Sequence, residues 1–512
     1  MRENRVETQP FARQDDLEKR HYTDTAPTDK DLNDQRDEVL PNYEMLEGIG
    51  FGSFQIKNIL IVGLIICSDA AQVFILSIVH PKLVCRWQLN SMQVALMSVT
   101  FMLFYMVGSS AGGFLSDIIG RRKTLIFSGL VLVAFELMVP AADHYPGFLI
   151  VYGITGIFIG CRYSISVTFL SEISPINRRT ASVFSIKLFW ALGGIFETVV
   201  SLIVVEKHGY KYMVPDQISQ IFITTLLTIF SLIFTCLLDE SPRWLLANGH
   251  FSRALQVIQK AAVLNDSNKK FPAIIATTEE QLKTMPVSAA KVKPGAVSTL
   301  FEEGYRRVTL ALSFIMFACT ALYFSLLYLN TNLHIINYCG VGRNNKHVMH
   351  LSKECQVLDS GDYMDLLITC IVEIPVLILT IGLADYRGRI ITFRVFSGLA
   401  SVSLMLLIFC ITSVNTEIQL FVSRGLVDGL LLAVWVYIPE IYPTKVRNIA
   451  VGLINTAGKL GAVFGILSVQ MLTTRHPHLI ATMFFLISLL AFGTMFTLKY
   501  ETKGQPLNER TS

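Results

Sequence analysis

Windows of roughly 20 consecutive apolar residues, the length an α-helix needs to cross the hydrocarbon core of a bilayer, recur along this chain. Twelve can be placed, near residues 58–80, 92–114, 124–142, 147–171, 181–205, 218–238, 307–330, 363–384, 391–412, 417–438, 448–472 and 478–499. Composition agrees, with 52% hydrophobic and 16% charged residues against about 25% charged in an average soluble domain. The expectation is an all-α, polytopic membrane protein whose even span count puts both termini on one side. Arg121, Arg122 and Lys123, then Arg178 and Arg179, Arg387 and Arg389, and Lys445 and Arg447 all fall in short loops on one face. The positive-inside rule makes that face cytoplasmic. Residues 1–57 then read as a disordered acidic cytoplasmic tail, 58–238 and 307–499 as two six-helix halves, 239–306 as a cytoplasmic linker containing a helix, and 500–512 as a cytoplasmic tail. The net charge of +4 is topological and makes no case for nucleic-acid binding.

The two halves repeat. Asp117-Ile-Ile-Gly120-Arg121 recurs as Asp385-Tyr-Arg-Gly388-Arg389, and Glu172-Ile-Ser-Pro175 followed by Arg179 recurs as Glu440-Ile-Tyr-Pro443 followed by Arg447. The offsets 385 − 117, 440 − 172 and 447 − 179 are all 268. Parallel halves related by an axis along the membrane normal place a solute site between them, near the midplane. Each Asp-x-x-Gly-Arg ends an even-numbered span, where glycine permits a tight turn and the arginine can reach a carboxylate or the exposed carbonyls of a neighbouring helix end. It reads as a latch between helices; the alternative is a plain anchor in the headgroup layer.

Gly113-Phe-Leu-Ser-Asp117-Ile-Ile-Gly120-Arg121-Arg122, Asp239-Glu240-Ser241-Pro242-Arg243-Trp244-Leu245, Pro439-Glu440-Ile-Tyr-Pro443-Thr444 and Glu501-Thr502-Lys503-Gly504 resemble the signature of the major facilitator superfamily, over roughly residues 43–508. Within it the chain is similar to the sugar-porter and organic-ion branch, and more closely to its vesicle proteins in Gly48–Gln55, Asp69-Ala70, Phe189-Trp190 with Glu197, and Asp362–Leu367. The resemblance implies the twelve-helix major facilitator fold and residence in a synaptic or secretory vesicle membrane. It also implies a cytoplasmic gate built from Gly113, Asp117, Gly120, Arg121, Arg122, Glu172, Arg179, Glu240, Arg243, Asp385, Gly388, Arg389, Glu440 and Arg447. The chain departs from the pattern at Gln72, where relatives carry an acid, at Tyr152, where they carry an arginine, and at Ile381, where a glycine is usual. Those departures put ion coupling in doubt.

Ionisable residues inside the spans are the candidate site. Asp69 lies at the centre of the first span, roughly 15 Å from either interface at about 1.5 Å per residue, too deep to snorkel. It must be paired, hydrated or protonated, and such a residue is a functional hypothesis by default. Gln72 shares its face. Arg162, Glu373 and Lys459 lie at similar depth, Glu197 and Lys187 off-centre. A substrate or coupling site of Asp69, Gln72, Arg162, Glu197, Tyr323, Glu373 and Lys459 is expected, with Asp69 paired to Arg162 and Glu373 to Lys459. Lys187 either joins it or snorkels to the cytoplasmic surface, and Arg424 and Asp428, four apart, are expected to satisfy one another.

No phosphate loop, metal-spaced His or Cys cluster or nucleophile elbow is present, so an enzyme, a cofactor and an ATP-driven pump are not expected. Cys339 and Cys355 fall in the long loop on the non-cytoplasmic, oxidising side, as a disulfide or as free thiols. The leading reading is a monomeric secondary-active or facilitative carrier of a small, charged organic solute, with a proton or cation as a further ligand and the lipid bilayer as its surroundings. The other reading is a vesicle-membrane binding or scaffold protein that keeps the carrier fold and has lost transport.

Overall fold

The structure, a computed structural model, describes residues 49–208, 213–265, 297–336, 360–409, 413–442, 444–472, 477–498 and 500–502. The regular elements among them are helices. The first group is α1 (Ser53–Trp87), α2 (Ser91–Ile119), α3 (Arg121–Met138, continued by a 3₁₀ turn Val139–Ala141), α4 (Tyr145–Ile173), α5 (Ile176–His208) and α6 (Met213–Thr235). Two short helices, α7 (Pro242–Ala247) and α8 (Phe251–Leu264), follow. The second group is α9 (Glu303–Ile336), α10 (Ser360–Arg387), α11 (Arg389–Ile408), α12 (Ser413–Ile441), α13 (Thr444–Leu472) and α14 (Pro477–Met495).

Among the described residues eleven helices are long and apolar enough to cross a membrane, and α6 adds a shorter apolar stretch, Ser219–Thr235. The protein is therefore a multi-pass membrane protein. Helix α6 stops at Thr235 and not near 238, because the backbone tightens into i→i+3 bonds at Leu237 and Leu238 ahead of Ser241, whose hydroxyl caps α7 at the Trp244 amide. The loop holding Cys339 and Cys355 lies outside the described residues.

The sequence repeat is a packing repeat. In the first half α1 packs on α5, α2 on α4 and α3 on α6; in the second α9 packs on α13, α10 on α12 and α11 on α14. Across the halves α5 meets α10 and α13 meets α2, which is one contact generated twice by the same axis. Close approach is set by small residues, as in membrane bundles generally. A Cβ on Gly193 of α5 would run into the carbonyl oxygen of Cys67 on α1, and one on Gly461 of α13 into that of Phe317 on α9. Those two glycines are again 268 residues apart.

The turns at Gly120 and Gly388 mark one end of the bundle, called here the motif end. Helix α1 starts there, since Gln55 donates to the Ile173 carbonyl at the end of α4. Away from that end one apolar core runs through both halves, joining Val73, Ile75 and Val79 of α1 to Leu326, Leu327 and Leu329 of α9. A separate core, with Leu300, Met316 and Tyr442, lies inside the second half towards the motif end. The halves are thus closed against each other at the end opposite the motifs.

Candidate functional site

At the motif end the two Asp-x-x-Gly-Arg turns build matching latches. Gly120 and Gly388 have φ of +112° and +100°, a conformation that disfavours a side chain, and a Cβ on either would meet the carboxylate of Glu240 or Glu501. Those carboxylates cap the helices that follow. Glu240 accepts from the amides of Arg121 (2.8 Å) and Arg122 (3.1 Å), and Glu501 from those of Arg389 (2.8 Å) and Ile390 (3.1 Å). They satisfy first-turn amides that no intrahelical carbonyl can reach. Arg121 forks onto Glu172 (2.8 and 3.3 Å) and reaches Asp117 (2.6 Å). Arg389 forks onto Glu440 (3.1 and 3.2 Å) and reaches Asp385 (3.4 Å). Arg122 donates to the Cys236 carbonyl (2.8 Å), tying the start of α3 to the end of α6. Gly113 faces Ser164 of α4. Arg243 is half-buried on α7, and the side chains of Arg179 and Arg447 lie outside the described residues. Each described latch closes within one half, α3 to α4 or α11 to α12. Just past α12, burial pushes the Tyr442 hydroxyl up to about 12, and it stays neutral in a 2.8 Å hydrogen bond with Thr309 of α9.

At the midplane three buried ion pairs form. Arg162 Nη1 lies 3.3 Å from Asp69 Oδ1, and its Nη2 donates to the hydroxyls of Ser68 (3.3 Å) and Ser231 (3.0 Å). The expected pairing inside the first half is therefore formed. Inside the second half Arg424 Nε donates to Glu373 Oε1 at 2.6 Å, and across the halves Lys187 Nζ meets Asp428 Oδ1 at 2.8 Å. These two correct the expected arrangement: Glu373 takes Arg424 and not Lys459, Arg424 and Asp428 do not satisfy one another, and Lys187 does not snorkel. Helix α12 packs on α10 and approaches α5, so its arginine and aspartate point to different neighbours. A buried charge takes a partner of opposite sign wherever one is within reach, because leaving it alone costs far more than an exposed i,i+4 contact returns.

Lys459 has no carboxylate within 4 Å among the described residues. Its ammonium lies 4.1 Å from the centre of the Tyr105 ring and 5.6 Å from that of Tyr163, a contact of α13 with α2 and α4 across the halves. Tyr323 is central: its hydroxyl accepts from Trp190 Nε1 at 3.0 Å, and Lys187 and Arg424 lie over its ring at 5.2 and 5.4 Å. Tyr163 stands edge-on to Trp190 at 6.0 Å. Two expected members turn away. Gln72 is 4% exposed but does not reach the Asp69 pair, its amide facing a small pocket with Tyr152 and Glu136, and Glu197 accepts from Thr224 of α6 at 2.8 Å. Sequence reasoning passed over Glu136, Glu501 and the pairing roles of Arg424 and Asp428. The signal for Glu501 was its place in the last signature, and for Glu136 a carboxylate within a span.

Two six-helix halves around paired charges at the midplane define a solute-carrier architecture, and the chain belongs to the sugar transporter family of the major facilitator superfamily: the family described as Sugar (and other) transporter matches residues 68–512. Among curated relatives it is 29% identical over 498 residues to the Synaptic vesicle 2-related protein of Xenopus laevis (97% of this chain, 87% of that one). It is 30% identical over 495 residues to the protein of the same name from Pongo abelii (96% and 87%), and 29% over 486 residues to the Putative transporter svop-1 of Caenorhabditis elegans (94% and 89%). Among solved structures the proton:xylose symporter XylE bound to 6-bromo-6-deoxy-D-glucose superposes with a TM-score of 0.66 at 16% identity, covering 89% of this chain and 98% of that one, a likeness of fold.

Proposed function

We propose that this protein carries a small, charged organic solute across its membrane, by rocking of the two halves around a site between α2, α4, α5, α9, α12 and α13. The reading rests on one observation: the midplane holds a cluster of ionisable and aromatic groups in which every described acid facing the interface is already paired, while Lys459 is left against aromatic rings. An ammonium with no counter-ion among the described residues, against the rings of Tyr105 and Tyr163, favours a solute with an anionic group and a flat or apolar body. The motif end faces the cytoplasm in this reading, by the loop arginines, and the names of the synaptic vesicle relatives support a vesicle membrane. The family's transport of sugars and the relatives named as transporters favour a carrier over a scaffold.

The test is purified protein screened for thermal stabilisation by small carboxylates, amines, sugars and nucleotides, followed by flux of any stabilising solute in liposomes. Carboxylates are expected to stabilise the wild type and to lose that effect in Lys459→Met. Stabilisation by amines alone would overturn the assigned charge, and a bound solute that no liposome accumulates would identify a binding protein on a carrier fold.

A further inference from the structure

Helix α6 carries a polar seam that the solute site does not use. Gln220, Thr224, Thr228, Ser231 and Thr235, at steps of three or four, share one face and are each at most 1% exposed. Successive members touch ionisable groups from other helices. Thr224 Oγ1 lies 2.8 Å from Glu197 of α5, Thr228 Oγ1 lies 3.2 Å from Glu136 of α3, and Ser231 Oγ accepts from Arg162 of α4, which holds Asp69 of α1.

Glu136 stands out on this seam. It is 1% exposed, it has no cation within 4 Å among the described residues, and its Oε2 has no hydrogen-bond partner among them. It lines a small pocket with Gln72, Ile75, Phe148 and Tyr152, and the Gln72 amide nitrogen in that pocket is likewise without a partner. The groups facing it are Asp69 and Gln72 on α1, Tyr152 and Arg162 on α4, and Thr225 and Thr228 on α6, with Glu197 beyond Thr224. One guanidinium therefore serves two carboxyls, and it is committed to Asp69. A carboxylate in the apolar interior with no cation is strongly disfavoured, and a proton bound there would remove that charge. Gln72, with an amide donor and a carbonyl acceptor, can hydrogen-bond the neighbouring carboxyl in either protonation state. Glu136 also lies five residues before the end of the α3 segment at Ala141, about 8 Å at roughly 1.5 Å per residue, on the side where the halves are closed.

We propose that Glu136 is a proton-binding site of this protein, built inside the first half and separate from the solute site, which exchanges its proton through the Gln72–Tyr152 pocket. Loss of that proton creates a second carboxylate beside Arg162, in competition with Asp69. The Asp69 pair is then weakened from within the half. This consequence, though not the site itself, rests on the carrier reading, because the competition biases rocking only if the halves rock.

Infrared difference spectra of the full chain in lipid, recorded between about pH 5 and about pH 9 with no solute present, test the site directly. The wild type is expected to show a carboxylic C=O stretch that disappears as the pH rises, Glu136→Gln to lose that band, and Asp69→Asn and Glu373→Gln to keep it. Should Glu136→Gln fail to fold, Glu136→Asp is expected to shift the band's frequency. A band unaltered in the Glu136 variants, or no titrating carboxyl at all, would overturn the proposal. The band without solute flux sinks the carrier reading alone, and flux without the band sinks the proton site alone.

Discussion

The Asp69–Arg162 pair predicts a strong, measurable coupling. Removing one member of a buried ion pair commonly costs about 3 to 5 kcal/mol, most of it the penalty of the charge left behind. In Asp69→Asn the guanidinium keeps the hydroxyls of Ser68 and Ser231, so that variant is expected near the lower end, about 3 kcal/mol. In Arg162→Gln the aspartate has no described hydrogen bond to fall back on, and the cost is expected near the upper end, about 5 kcal/mol. The double variant leaves two neutral amides of near-native size beside the same hydroxyls and is expected to lose only about 2 to 4 kcal/mol, a coupling of roughly 4 to 6 kcal/mol. Reversible unfolding of the purified protein in mixed micelles supplies all four corners of the cycle. Costs that add, with no coupling beyond about 0.5 kcal/mol, would refute the pair as an energetic unit. Glu136 adds a cross-check. If it can ionise to replace the lost aspartate, Asp69→Asn becomes more costly in a Glu136→Gln background.

Three further outcomes are expected. In the latches Asp117 is 66% exposed on its side chain and Glu172 only 14%, so Asp117→Asn is expected to cost under about 1 kcal/mol and Glu172→Gln clearly more, by the same unfolding assay; equal costs would count against the fork as the stabilising contact. Gly193→Ala and Gly461→Ala are both expected to cut folded yield sharply, since each Cβ meets a carbonyl of the partner helix, and size-exclusion profiles matching wild type would show that the helices separate at little cost. Lys187→Met removes an ion pair that crosses the halves; it is expected to change labelling of a cysteine placed on the face of α12 turned towards α5 by a membrane-impermeant thiol reagent, in a cysteine-depleted background, and unchanged labelling would make the contact incidental.

The spans and the repeat were legible because the bilayer imposes a length and an apolar composition on every crossing segment, and because motifs at one offset survive where the rest of the sequence diverges. Depth was legible for the same reason: position along a span places Asp69, Arg162, Glu373 and Lys459 near one plane. Partner choice was not, since it depends on how each helix is rotated. Asp69 and Arg162 were identified as partners because the first half offers few deep bases, whereas the second offers Arg424 and Lys459 to one glutamate and only packing decides. Glu136 was passed over because it sits near the end of an apolar window, where a carboxylate reads as interfacial; the neighbouring 3₁₀ turn and α6 bury it. Glu501 lies in a recognisable signature, yet its work as a cap exists only once it is brought against Gly388.

In the proposed rocking motion, the distribution of these contacts says where movement is resisted. Both latches, both carboxylate caps, Asp69–Arg162 and Glu373–Arg424 lie inside single halves, and they favour halves that move as rigid units. Polar contacts across the halves include Lys187–Asp428, the Trp190–Tyr323 hydrogen bond and the face of Lys459 on Tyr105. The first two belong to one turn of α5, where residues 187 and 190 are three apart and so lie on the same face. A solute bound between α5, α9 and α13 would meet all three at once. One that displaced Lys459 from its rings, or drew Lys187 from Asp428, would act on contacts that differ between states, and only such contacts can shift the equilibrium between them. Solute recognition and the release of the halves would then use the same few side chains, and Trp190→Phe, which keeps the ring but loses the bond to Tyr323, is expected to loosen the closed state without abolishing solute binding.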